Sequence, residues 1–194
     1  QSRGKTLVGM GDEGGTVLTY DAHHLTDTAR KCYPNPPSPR PELNASARFG
    51  QVHSDWVSDL IYCPTMQSGA LVSASLDSTL AVFDTERSLL KRTLSSHSKA
   101  VHAVVGFEQQ QVLVSGGLDR QLLVWPYSSD QPIASLSGHG SSITQLAADP
   151  AHWLLLSLGS DHTVRVWDLR KMQCVQLLNP KHASSGGGGG GGGG

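Results

Sequence analysis

The chain has 194 residues, enough for one moderate domain, and sets 15 Lys and Arg against 16 Asp and Glu. A balance this close to neutral supplies no basic field for nucleic acid or an anionic membrane, so neither is expected as a partner. No apolar run approaches the roughly 20 residues of a membrane span, and no signal peptide is visible.

Residues 1–21 include Gly9-Met10-Gly11-Asp12-Glu13-Gly14, which fits the G-x-G-x-x-G spacing of a dinucleotide-binding turn. That motif needs a helix N-terminus behind it to receive a pyrophosphate, whereas "GTVLTYD" follows, a β-branched stretch that predicts a strand. Residues 22–45 hold "KCYPNPPSPRPE", where Pro34, Pro36, Pro37, Pro39 and Pro41 forbid regular ladder pairing, so a protruding loop is expected. Within it Ser38-Pro39-Arg40 fits a proline-directed phosphorylation site, and such dipeptides are also common in plain loops. His23, His24 and Cys32 make a poor metal set, because adjacent histidines cannot easily share one ion. Asn44-Ala45-Ser46 is read as a chance glycosylation tripeptide.

From residue 46 onward the segments are short, rich in Val, Leu and Ile, and separated by Gly, Ser, Asp and Pro. That is the pattern of antiparallel strands joined by tight turns. "LDSTLAVFD" at 76–84, "LDRQLLVWP" at 118–126 and "SDHTVRVWD" at 160–168 repeat one another. Asp77, Asp119 and Asp161 stand 42 residues apart; Ser73, Ser115 and Ser157, and Phe83, Trp125 and Trp167, keep that interval. A period of roughly 40–45 residues is that of propeller blades. The units run over 46–95, 96–137 and 138–182. Residues 1–21 are expected to be strands of a degenerate unit, with Tyr20 at the aromatic position and Gly14 at the turn position. In the last unit, strands are expected near "ITQLAAD", "WLLLSLG", "TVRVWDL" and "CVQLL". The middle two are apolar almost throughout and need cover on both faces. His182, 43 residues after His139, is placed to open a further unit, and residues 183–194 read as a Ser/Gly-rich linker. The chain opens without Met and reads as an excerpt of a longer polypeptide.

His53, His97 and His139 precede the third-strand aromatics by 30, 28 and 28 residues. Each unit therefore offers a His, a Ser, an Asp and an aromatic residue at fixed spacing. A buried imidazole needs both ring nitrogens satisfied; the turn Asp can accept from one, and the Ser can link the other to an indole N–H. The expected role is structural: a tetrad of His97, Ser115, Asp119 and Trp125, a second of His139, Ser157, Asp161 and Trp167, and a partial one of His53, Ser73, Asp77 and Phe83. Three copies with no nucleophile elbow argue against a hydrolase triad, and no enzyme activity, cofactor or metal is expected.

Gly138-His139, Ser157, Asp161 and Trp167-Asp168 resemble the repeat signature of the WD-repeat (WD40) propellers, over roughly residues 46–182. The resemblance implies an all-β fold, a β-propeller of four-stranded antiparallel blades that is incomplete, with about three full blades and part of another. It also implies a non-enzymatic scaffold whose blade ends meet other proteins. Phe83 departs from the pattern in replacing Trp, Ser96-His97 in lacking Gly, and Pro126 in replacing Asp. Trp56, Leu76 and Leu118 fall where such propellers meet their partners, and an exposed aromatic flanked by leucines suits protein contact. Val166-Trp167-Asp168-Leu169-Arg170 is similar to the motif by which some WD-repeat proteins join cullin ubiquitin ligases, where Arg170 would meet the adaptor. The run from Trp125-Pro126-Tyr127 to Pro132 before Gly138-His139 resembles repeats of ciliary and flagellar WD-repeat proteins, especially those that carry EF-hands. That resemblance implies a microtubule-associated complex of the axoneme. Cys32, Cys63 and Cys174, odd in number and widely spread, fit reduced thiols of a cytoplasmic protein better than a disulfide frame, and the ciliary resemblance implies a cytoskeletal one.

Overall fold

The computed structural model describes residues 7–11, 14–21, 47–66 and 69–179, and every helix or strand among them is a strand. β1 (Leu7–Gly11), β2 (Thr16–Asp21) and β3 (Ala47–Gln51) form an antiparallel three-stranded sheet in that order. Gly11 therefore ends a strand whose hairpin partner is another strand, and the glycine spacing has no helix behind it. The first four-stranded blade holds β4 (Val57–Cys63), β5 (Ala70–Ser75), β6 (Leu80–Asp84) and β7 (Leu89–Leu94). The second holds β8 (Val101–Phe107), β9 (Val112–Gly117), β10 (Leu122–Pro126) and β11 (Ala134–Leu136). The third holds β12 (Ile143–Asp149), β13 (Leu154–Gly159), β14 (Val164–Asp168) and β15 (Gln173–Leu178). Each is an antiparallel meander, and together they are the blades of an incomplete propeller. Residues 22–45, His182 and the glycine tract lie outside the described residues.

One feature differs from the sequence reading. Ala47–Gln51 pairs with β2, so a strand that the period groups with the unit starting at residue 46 instead completes the sheet before it. In the third blade the middle strands, which need cover on both faces, have it on one among the described residues.

The reason lies in how the blades stack. Side chains of a strand alternate between its faces, and directly paired residues share a face. Val72, Ala74, Leu80 and Val82 of the first blade pack against Leu113, Leu123 and Trp125 of the second. Val114, Leu122 and Val124, on the opposite face of the second blade, pack against Ile143, Leu155 and Trp167 of the third. Val17 of β2 covers Leu71, Ala81 and Phe83 on the remaining face of the first blade. The corresponding outer face of the third blade has no neighbour among the described residues. Leu156 is 37% exposed there, while Val72 and Val114 at the matching positions are at 0%. Leu178 is 45% exposed, while Leu94 and Leu136 are buried.

The innermost strands β4, β8 and β12 each carry a register shift, between Val57 and Asp59, Val101 and Ala103, and Ile143 and Gln145. Polar side chains stitch the first blade to the second there: Asp59 accepts from the Val104 amide at 2.9 Å, and Ser58 donates to the Val101 carbonyl at 2.7 Å.

Candidate protein-interaction rim and its hydrogen-bonded frame

A meander of four strands has two ends. The turns between second and third strands, and the links from one blade to the next, lie at one end, called here the upper rim. The turns between first and second, and third and fourth, lie at the lower rim. His53, His97 and His139 enter from the inter-blade links, and Asp77, Asp119 and Asp161 occupy the upper turns. In each upper turn the Asp carboxylate accepts the amide two residues on, from Thr79 at 2.9 Å, Gln121 at 3.2 Å and Thr163 at 3.0 Å. Ser78, Arg120 and His162, one residue after the Asp, all take positive φ, so these turns have the same backbone shape although no glycine stands there.

In the second blade the hydrogen bonds run in one direction. The Trp125 indole donates to Ser115 Oγ at 2.8 Å, Ser115 pairs with His97 Nε2 at 2.7 Å, and His97 Nδ1 meets Asp119 at 2.7 Å. One tautomer satisfies the chain: Ser115 donates to Nε2, and Nδ1–H donates to the carboxylate. The same Asp119 oxygen accepts the Ser98 amide at 3.2 Å, tying the inter-blade link to the upper turn. In the first blade His53 pairs with Ser73 at 2.6 Å and with Asp77 at 3.0 Å, and Thr79, which the spacing alone did not single out, lies 3.1 Å from the same ring nitrogen. Phe83 is fully buried at the aromatic position and has no indole N–H to offer Ser73.

The third blade departs from the expected tetrad. Trp167 donates to Ser157 at 2.8 Å and Ser157 pairs with His139 at 2.6 Å, but His139 Nδ1 is buried with no partner. Asp161 bonds instead to the Thr163 hydroxyl, and its amide donates to Ser141 Oγ at 3.3 Å. Gly140 and Ser141 stand where the other links carry Ser54-Asp55 and Ser98-Lys99. The link meets the turn here through the Ser141 hydroxyl, where Ser54 and Ser98 use an amide donated to the carboxylate. The closed His–Asp pairs are therefore in the first and second blades, not the second and third.

Burial pushes the His97 imidazole below its ordinary pKa, although the bond to Asp119 opposes this. Burial likewise lowers His139, reinforced by the Arg165 charge and only partly offset by Asp161. The two bonds from Thr163 hold Asp161 down at about 2.

The four partner-contact candidates divide between the two ends. Trp56, 51% exposed, and Leu118, 46% exposed, lie on the upper rim with the half-buried Leu76. The Leu76 amide donates to the Trp56 carbonyl at 2.9 Å, and the Leu118 amide to Ala100 at 2.8 Å, so the exposed side chains stand on a fixed backbone. Arg170 is in the lower turn between β14 and β15. Its Nε and Nη2 bond to Asp168 at 3.1 and 2.9 Å, so the guanidinium is oriented by its own strand. Among the described residues no three His, Cys, Asp or Glu gather to hold a metal ion. Cys63 is buried and Cys174 exposed, and both are free thiols.

Stacked four-stranded meanders with an Asp-turn and a buried His–Ser–Trp relay define a propeller built from sequence repeats. Residues 88–126 and 130–168 each match the family described as WD40: WD domain, G-beta repeat. The two matched stretches support the WD40 family and, with it, a protein-interaction scaffold; that family is generally non-enzymatic. No curated protein matches the chain.

Proposed function

We propose that this chain is a rigid, non-enzymatic scaffold that meets a partner protein through Trp56, Leu76 and Leu118 on the upper rim. The observation that carries the reading is the pairing of exposed apolar side chains with a locked frame: Trp56 and Leu118 are solvent-facing, while the turns beneath them are held by His53–Asp77 and His97–Asp119. A surface ordered before contact loses little entropy on binding. The finer assignment is to a microtubule-associated complex of the ciliary or flagellar axoneme, and it rests on the resemblance of the stretch from Trp125 to His139 to ciliary WD-repeat proteins. The test is capture of axonemal proteins by the full chain and by Trp56→Ser/Leu118→Ser. Loss of a defined partner in the double variant is expected; undiminished capture sinks the rim, and no axonemal protein captured by either sinks the axonemal reading.

A second reading, substrate receptor of a cullin ubiquitin ligase, is favoured by one observation: the Arg170 guanidinium is exposed and held in a bidentate orientation by Asp168. Co-purification with the cullin adaptor that disappears in Arg170→Ala would support it, and no co-purification with the unsubstituted chain would exclude it.

A further inference from the structure

The outermost strands of the three blades have the same place in the fold and are built differently. β7, β11 and β15 each stand last in their sheet, so each pairs along one edge only. In an antiparallel pair alternate residues turn their amide and carbonyl away from the neighbour, so an end strand offers a row of donors and acceptors to any extended segment that meets it. β7 carries Lys91 and Arg92 at its centre. β11 is three residues long, and Pro132 stands two residues before it begins. Charge, proline and brevity each discourage the addition of a further strand. β15 has none of them: its six residues, Gln173–Leu178, include no charge and no proline.

Every side chain of β15 is exposed, Val175 at 53% and Leu177 at 50% among them. The strand is nonetheless ordered, paired with β14 from Gln173 opposite Asp168 to Leu178 opposite Val164. Its outer edge is separate from the uncovered face of the third blade. Blades cover one another face to face, as Val72 and Val114 are covered. A further blade set against Leu156 would hide that face and leave the edge of β15 as open as those of β7 and β11.

We propose that two copies of this chain dimerise by pairing their β15 edges antiparallel about a two-fold axis, which joins two four-stranded blades into one continuous sheet. The occupant is a second copy because the strand complements itself. A two-fold contact sets a surface against its own image, so a charge in the strand meets the same charge nearby. In β7 that would bring Lys91 and Arg92 of one copy onto those of the other, whereas β15 has no charge to repel. With the axis at Gln176, Val175 of each copy stands opposite Leu177 of the other, so the exposed apolar side chains cover each other on both sides of the axis. A second copy also arrives with its strand already held by β14, whereas a disordered peptide loses that freedom on binding. The edge runs along the outside of the blade and uses none of the upper-rim residues, so the dimer does not depend on the rim reading.

The experiment is light scattering of the full chain over a range of concentration, with hydrogen exchange followed across Gln173–Leu178. The mass is expected to rise from that of one chain to that of two, and exchange across β15 to slow by about tenfold as it does so. Val175→Lys/Leu177→Lys places lysine where β7 carries it and should remain monomeric at every concentration. Both side chains are exposed, so its urea midpoint should match that of the parent at dilutions where the parent is monomeric. Leu89→Lys, at an exposed apolar position on the β7 edge, and Leu156→Lys, on the uncovered face, should both leave the dimer intact. A parent that stays monomeric, a dimer that persists in the double variant, or an equal loss of dimer in Leu89→Lys overturns the proposal. Assemblies that Leu156→Lys alone dissolves would assign the association to the face and overturn it as well. A monomeric parent that binds a labelled Thr-Val-Thr-Val-Thr peptide, with binding lost in the double variant, would make the edge a peptide site and overturn the second copy as its occupant. Failure of the rim reading would register separately, as undiminished partner capture by the Trp56/Leu118 double variant.

Discussion

Asp119 and Asp161 occupy the same place in the repeat, and the structure predicts that replacing them by Ala has unequal consequences. Asp119 accepts from His97 Nδ1 at 2.7 Å, from the Ser98 amide at 3.2 Å and from the Gln121 amide at 3.2 Å. The latter two donors lie at the surface and regain water when the carboxylate is removed. The His97 side chain is at 0% exposure, so its Nδ1–H stays dry and unpaired. One orphaned buried donor costs about 1–3 kcal/mol. At a urea slope of about 2 kcal/mol/M, a loss of about 2 kcal/mol lowers the midpoint by about 1 M. Asp161 makes no bond to His139, whose Nδ1 is already without a partner, and its own contacts are exposed turn bonds to Thr163 and Ser141. Asp161→Ala should therefore move the midpoint much less than Asp119→Ala. Chemical denaturation of the three proteins, followed by tryptophan fluorescence, decides the matter. Equal midpoint shifts at an unchanged slope would mean that the turn itself, and not the histidine link, is what the aspartate stabilises.

Acid should destabilise the fold from just below neutral pH. His97 and His139 have folded pKa values below the unfolded 6.5, so the unfolded chain binds more protons, and stability falls as pH drops below about 6.5; Asp161, held at about 2, adds a loss only below about pH 4. A melting temperature constant between pH 7 and pH 5 would contradict this. On the outer face of the third blade, Leu156→Lys should cost less than about 1 kcal/mol in this chain, because the residue is already part-exposed, whereas Val114→Lys at the matching buried position should cost several kcal/mol or prevent folding. Light scattering should also register less self-association in Leu156→Lys, and a variant that associates as strongly as the parent would exonerate that face.

The strands were legible in the sequence because the period of 42 residues fixes them three times over, and each copy checks the others. The frame was legible in part. Spacing placed His97, Ser115, Asp119 and Trp125 correctly for contact because strand register transmits a sequence interval into a spatial one. It could not foresee that His139 Nδ1 would be left without Asp161 as its partner, since the third blade carries the same four residue types at the same spacing as the second.

The offset between repeat and blade explains the strand that the period assigned to the wrong sheet. Each matched stretch begins with the last strand of one blade and ends with the third strand of the next: residues 88–126 span β7 to β10, and 130–168 span β11 to β14. A unit of sequence therefore hydrogen-bonds to two sheets, and no blade can be completed without part of its successor. β3 stands in the same relation to β4, β5 and β6, which is why Ala47–Gln51 pairs with β2 although it opens the unit that follows. The same logic makes β15, beyond the second match, the position where a following unit would begin. Covalent overlap of this kind complements face-to-face packing, for two blades that share a repeat cannot separate without also breaking a strand pair. Rigidity at the upper rim then follows from two independent links per junction, the shared strand and the histidine bond to the turn. Only the second is missing in the third blade.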